Sequence, residues 1–226
     1  VAARQATLRI YLERGAKRTF AGALDWPGWS RSGKDQELAV EALLAYAPRY
    51  ARALKRAGLN EAPPGTEATV EIVQRMAGGS GTDFGVPSDA PKHDAQPLKG
   101  RELSRQRALL EAAWQAFDDA AVAARGKTLS VGPRGGGRTL AKMTGHVLEA
   151  EVAYLGQLGS KPPTGAGDEM AAVRQAALAA LDAVANGAPL DRPRNTKRPW
   201  SPRYFIRRSA WHALDHAWEL EDRTPR

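Results

Sequence analysis

The apolar residues of this chain change period part-way along it, and that change sets what it can fold into. Up to about residue 77 they alternate, as in half-buried strands; beyond Lys99 they recur at three- and four-residue steps over four long stretches. The first part therefore predicts a small sheet and the second a set of amphipathic helices. Between them, Gly78 to Lys99 holds Gly-Gly-Ser-Gly followed by Pro87, Pro91 and Pro97 among polar residues, and reads as a linker. The expected class is α+β: a ββαβ domain over 1–77, a linker over 78–99, and a four-helix bundle over 100–226.

Within the first part, Thr7–Leu12 alternates, Gly15 turns the chain, and Arg18–Leu24 returns as the second arm of a hairpin. Residues 25–33, with Pro27, Gly28 and Gly33, read as a loop. Trp26 and Trp29 in that loop are expected to pack against the helical part. Asp35 is placed to cap a helix carrying Leu38, Leu43, Tyr46, Tyr50 and Leu54, which Pro48 should kink or split and Gly58 should end. Thr66–Val73 alternates as a third strand. In the second part, the helices are expected near 102–124, from Thr139, from near Asp168 to Asn186-Gly187, and from Ser201 with Pro202 in its first turn. Residues 188–199 read as an extended crossover. Trp211, Leu214 and Trp218 form the apolar stripe of the last helix.

The chain has 226 residues, no cysteine and a formal net charge of +8. Absence of cysteine excludes disulfides, thiolate ligands and a cysteine nucleophile, and fits a cytoplasmic protein. No apolar run is long enough to span a bilayer, and the first residues lack the apolar core of a signal peptide. The positive charge is spread along the chain except for Arg192, Arg194, Lys197, Arg198, Arg203, Arg207 and Arg208. That segment reads first as a solvated loop and second as an anion-binding rim. Nucleic acid ranks third, because no aromatic-basic interleaving or helix-turn-helix pattern accompanies the charge.

Only four histidines occur, and three are placed suggestively. His212 and His216 stand at i and i+4, hence on one helix face. His146 lies on another helical stretch. Each can be a core residue satisfied by one hydrogen bond, but three imidazoles from two helices also make a facial ligand set for Zn²⁺, Ni²⁺ or Fe²⁺ with positions left open. Asp215, Glu149 and Glu219 each follow one of these histidines by three residues. Each is read as a partner for a ring nitrogen or, if free, a general base; a solvated carboxylate is the plain alternative. The Gly135-Gly136-Gly137-Arg138-Thr139 loop opens a helix and could seat an anion, although it lacks the Lys-Ser/Thr step of a P-loop. Arg138, Arg207 and Arg208 are the candidates for holding an anionic substrate or cofactor.

His146 early in the second helix, the His212-x-x-x-His216 pair in the fourth, and Leu140-Ala141-Lys142-Met143-Thr144-Gly145 before His146 together resemble the DinB/YfiT-like family over roughly 98–226. The resemblance implies a four-helix bundle with a divalent metal on His146, His212 and His216, usually zinc or nickel. It also implies chemistry in some members through low-molecular-weight thiols such as mycothiol or bacillithiol. The hairpin, the Pro27-Gly28-Trp29-Ser30 loop and the Lys34-Asp35-Gln36-Glu37 helix start resemble, faintly, a HicB-like ββαβ unit, read as an accessory or interface module.

Three functions follow as expectations: a thiol-dependent S-transferase or isomerase; a hydrolase using water activated on the same three-histidine site; or a stress-linked binding protein whose metal is structural. The expected ligand is a small molecule, not a membrane, and a homodimer is left open.

Overall fold

The computed structural model describes residues 6–132, 137–188 and 199–225. Four strands, β1 (Thr7–Arg14), β2 (Thr19–Ala23), β3 (Ser30–Gly33) and β4 (Thr69–Ala77), form one sheet in the order β3-β2-β1-β4. The β1–β2 and β2–β3 pairs are antiparallel and β1–β4 is parallel. The crossover to β4 runs through α1 (Gln36–Ala45) and α2 (Ala47–Arg56). The Asp35 carboxylate accepts from the Leu38 N–H at 2.9 Å and starts α1. The chain breaks at Tyr46 and Pro48 sits in the first turn of α2, where its missing N–H costs nothing.

The N-terminal part is thus β-β-β-α-α-β, not ββαβ. The added strand, β3, lies inside the stretch expected as a loop. The 66–73 strand is found at 69–77.

Strand parity gives the sheet two buried faces. On one, α1 packs against β2 and β3, and Trp29 stacks on Tyr50 of α2 with ring centroids 5.3 Å apart. Trp29 donates its indole N–H to the Leu43 carbonyl at 2.8 Å. Trp29 therefore belongs to the sheet–helix core. Trp26 makes the expected contact with the helical part, under the Arg105 guanidinium at 4.6 Å. Tyr11, Glu13 and Phe20 occupy the other face, and the last helix covers it.

The helical part comprises α4 (Gly100–Ala123), α5 (Leu140–Leu158), α6 (Met170–Ala185) and α7 (Pro202–Arg223). Thr139 and Ser201 cap α5 and α7, accepting from Lys142 and Tyr204 N–H groups. α7 packs against α4 and α5, and α5 against α6. Arg174 on α6 donates to Glu151 on α5 and Asp118 on α4, tying three helices together. No helix among the described residues is long and apolar enough to cross a membrane.

The stretch expected as a linker is packed. It contains α3 (Ser80–Phe84) and a 3-10 turn at Lys92–Ala95. Glu13 of β1, fully buried, accepts from the Thr82 hydroxyl and the Ser88 and Asp89 N–H groups. Asp94, also fully buried, pairs with Arg207 of α7. The sheet, α1, α2 and the helical part share one apolar core. Gly28 marks a close approach: its φ is +88°, and a Cβ there would lie 2.9 Å from Ala210 and Leu214 of α7.

Candidate metal centre

α5 and α7 carry the three histidines to one place. His212 and His216, one turn apart, are buried with 6% and 7% exposure; His146 enters half-buried from α5. The Nε2 atoms of His146 and His212 stand 3.2 Å apart. Ring centroids are separated by 5.1 Å (146–212), 5.0 Å (146–216) and 4.6 Å (212–216). One ligand nitrogen from each lies within 4.8 Å of the others. Two nitrogens on a tetrahedral ion, each about 2.05 Å from it, are roughly 3.3 Å apart. The His146–His212 pair therefore has the spacing of two ligands on one ion, and the third imidazole is of the same donor type within 4.8 Å.

The electrostatics favour neutral rings at His212 and His146, as ligation requires. Burial, then the nearby His216, Arg208 and His146, push the His212 pKa down to about 2. Burial and the Arg138 charge, with His216, lower His146 as well. His212 Nδ1 is buried with no hydrogen-bond partner among the described residues. His216 is held differently. Its Nδ1 lies 3.1 Å from Glu219 Oε2. An ionised carboxylate only accepts, so a proton sits on Nδ1 and Nε2 is the nitrogen available for a ligand role. The His216 hydrogen bond and Arg223 hold the Glu219 carboxyl below its ordinary value.

Arg223 orders this outer layer. It donates to Glu219 at 2.8 Å, to the Ser130 carbonyl at 2.8 Å and to the Arg138 carbonyl at 3.0 Å. Sequence reasoning missed it. The signal was available: 212, 216, 219 and 223 form one i, i+4, i+7, i+11 stripe.

The other expected site residues divide. Asp215 turns away from the histidines and pairs with Arg31 of β3 at 2.8 Å. Glu149 is exposed on α5, felt at His146 only through its charge. Arg207 is buried, and donates to Asp94 and to the Ala23 and Leu24 carbonyls. The sequence placed it on a rim because it could not see Asp94, 113 residues away. Arg208 stays beside the site, its guanidinium 4.5 Å from the Trp211 ring and 5.3 Å from that of Tyr154. Tyr154 in turn packs 5.6 Å from His212. Arg138 is exposed, and its charge reaches both His146 and His212. Arg192, Arg194, Lys197 and Arg198, and Gly135 and Gly136 of the expected anion loop, lie outside the described residues.

The DinB superfamily profile matches residues 102–220, 119 of the 226 in the chain. The chain belongs to the DinB superfamily. No curated protein and no solved structure matches it. The matched span holds α4 to α6, all three histidines and Glu219. Arg223 and the whole N-terminal sheet fall outside it. In this DinB protein the outermost support of the cluster thus comes from beyond the family match.

Proposed function

We propose that this DinB protein holds one divalent ion, zinc or nickel foremost, on His146, His212 and His216. The site would lie in a DinB-type four-helix bundle made of α4 to α7 and serve a thiol-dependent S-transferase or isomerase acting on a small molecule. The observation that carries the proposal is the convergence of three imidazole nitrogens, with Glu219 fixing the tautomer of one. Such an ion, when bound, supplies Lewis-acid polarisation of a donor atom at its open position.

The chain's own groups favour this reading over hydrolysis. A carboxylate placed to take a proton from water is one common aid to hydrolysis. Asp215 is committed to Arg31, Glu219 to His216 and Arg223, and Glu149 is exposed to solvent. Arg208 and Arg138 make no ion pair among the described residues. They suit an anionic substrate or thiol, with Tyr154 and Trp200, 5.0 Å apart, as apolar wall. The N-terminal sheet, HicB-like in our reading, serves as an accessory module that braces α7.

The test is metal analysis of protein purified without a histidine tag, followed by calorimetric titration with low-molecular-weight thiols. Metal-dependent thiol binding that disappears in His212→Ala supports the proposal. A chain with no metal, or thiol binding unchanged in that variant, refutes it.

A further inference from the structure

Arg223 is the last residue of α7, three beyond residue 220, where the family match ends, and it is buried. A guanidinium that deep costs stability unless its donors are matched. Each of its nitrogens has an acceptor. Nε donates to the Ser130 carbonyl at 2.8 Å, Nη2 to the Arg138 carbonyl at 3.0 Å and Nη1 to Glu219 Oε1 at 2.8 Å. The main chain is matched as well: the Arg223 carbonyl accepts from the Ser130 N–H at 2.8 Å and from its hydroxyl at 3.1 Å. Gly137 leaves the room for this side chain, because a Cβ there would fall on the guanidinium.

The three acceptors differ in kind. Ser130 and Arg138 offer backbone oxygens of the connection between α4 and α5, and these fix the planar guanidinium. Glu219 is a flexible side chain, 30% exposed, and holding it in one position costs entropy. Its second oxygen, Oε2, meets His216 Nδ1 at 3.1 Å. One carboxylate is thus shared between a fixed cation and a candidate ligand, with one oxygen for each. Among the described residues no carboxylate hydrogen-bonds to His146 or His212.

We infer that Arg223 is a positioning residue of the metal centre. It holds Glu219 where that carboxylate reaches His216, and through Glu219 it sets the tautomer and orientation of the ring. The inference rests on the metal reading proposed above. Arg223 takes the Glu219 oxygen that His216 does not use, so the two donors do not compete. The guanidinium is itself fixed by the chain that leads into α5: Arg138 immediately precedes Thr139, the cap of the helix that carries His146. Support for a ligand on α7 therefore depends on the approach to the other ligand-bearing helix.

The experiment measures zinc affinity of the full chain by competition with a chromophoric chelator. It compares wild type, Glu219→Gln, Arg223→Gln and the double variant, with circular dichroism showing that each is folded. Arg223→Gln should weaken zinc binding about tenfold, but by less than about twofold where Glu219 is already replaced. Equal factors in the two backgrounds, or no change in either, overturn the inference and leave Arg223 a packing residue. Arg223→Lys, which keeps the charge but cannot hold Glu219 and both carbonyls together, should fall between wild type and Arg223→Gln. A second readout needs no metal. In mildly alkaline, metal-free solution, ¹⁵N-histidine spectra should show the His216 ring, assigned by His216→Gln, as the Nδ1–H form in wild type and as a mixture in Arg223→Gln. A ring that stays wholly Nδ1–H in that variant contradicts the inference. Wild-type protein that binds no zinc refutes the metal reading, and the tautomer measurement still decides the role of Arg223.

Discussion

On the side of α7 turned to the sheet, Arg207 uses its donors on Asp94 and two backbone carbonyls. One residue further on, Arg208 keeps a buried nitrogen without an acceptor, beside Trp211 and His212 with the same deficiency. Both arginines sit on one helix in one core. The first side is closed: each buried charge meets its complement, and the result is a brace between the N-terminal sheet and the helical part. The second is left open, with polar atoms desolvated and unmatched over a single turn. Folding alone does not account for that cost, and the histidine cluster lies on that turn.

The sharpest way to break the comparison is to open the closed side. Asp94→Ala leaves Arg207 buried without its acid, and loss of one partner of a buried pair costs about 3–5 kcal/mol. Denaturant unfolding should show a loss of unfolding free energy of that size. pH offers the same test without a mutation. Burial alone would raise the Asp94 pKa, but the Arg207 charge and hydrogen bonds hold it below its ordinary value. The pair therefore contributes fully above the ordinary carboxylate range, and its contribution fades as pH falls through the lowered folded value.

Glu219→Gln tests the open side. It removes the acceptor that fixes His216, and metal affinity should fall about 10–100-fold, measured by competition with a chelator. Unfolding of the metal-free protein should change much less than in Asp94→Ala. A smaller effect concerns the stretch Gly78–Lys99. With Thr82, Asp94 and Leu98 buried, limited proteolysis of native protein should cut it slowly. Fast cleavage there would support a division into two independent folding units. Least of all, Asp215→Asn removes the part-exposed pair with Arg31, worth at most about 1 kcal/mol, and should leave metal content unchanged.

What the sequence disclosed followed range. Local signals were legible: Asp35, Thr139 and Ser201 cap as expected, and Pro48 divides α1 from α2. The i, i+4 spacing of His212 and His216 foretold a shared face, and His146 joins them. Signals that depend on distant partners were not. β3 is Ser-Arg-Ser-Gly, with no apolar alternation, and is a strand because β2 pairs with it. Gly78–Lys99 has the composition of a linker, yet Glu13 and Arg207, remote in sequence, pin it down. Arg207 and Arg208 look alike in the sequence; about 100° of helical rotation sends one to the sheet and the other to the aromatic wall.

On the reading proposed above, His146, His212 and His216 hold one ion. Elemental analysis of tag-free protein, purified without chelators, tests it most directly. The account expects about one divalent ion per folded chain, with metal lost in His146→Ala and in His212→Ala while both variants keep the wild-type circular dichroism. Folded wild-type protein that binds no divalent metal even when it is supplied, or variants that retain it, would contradict the account.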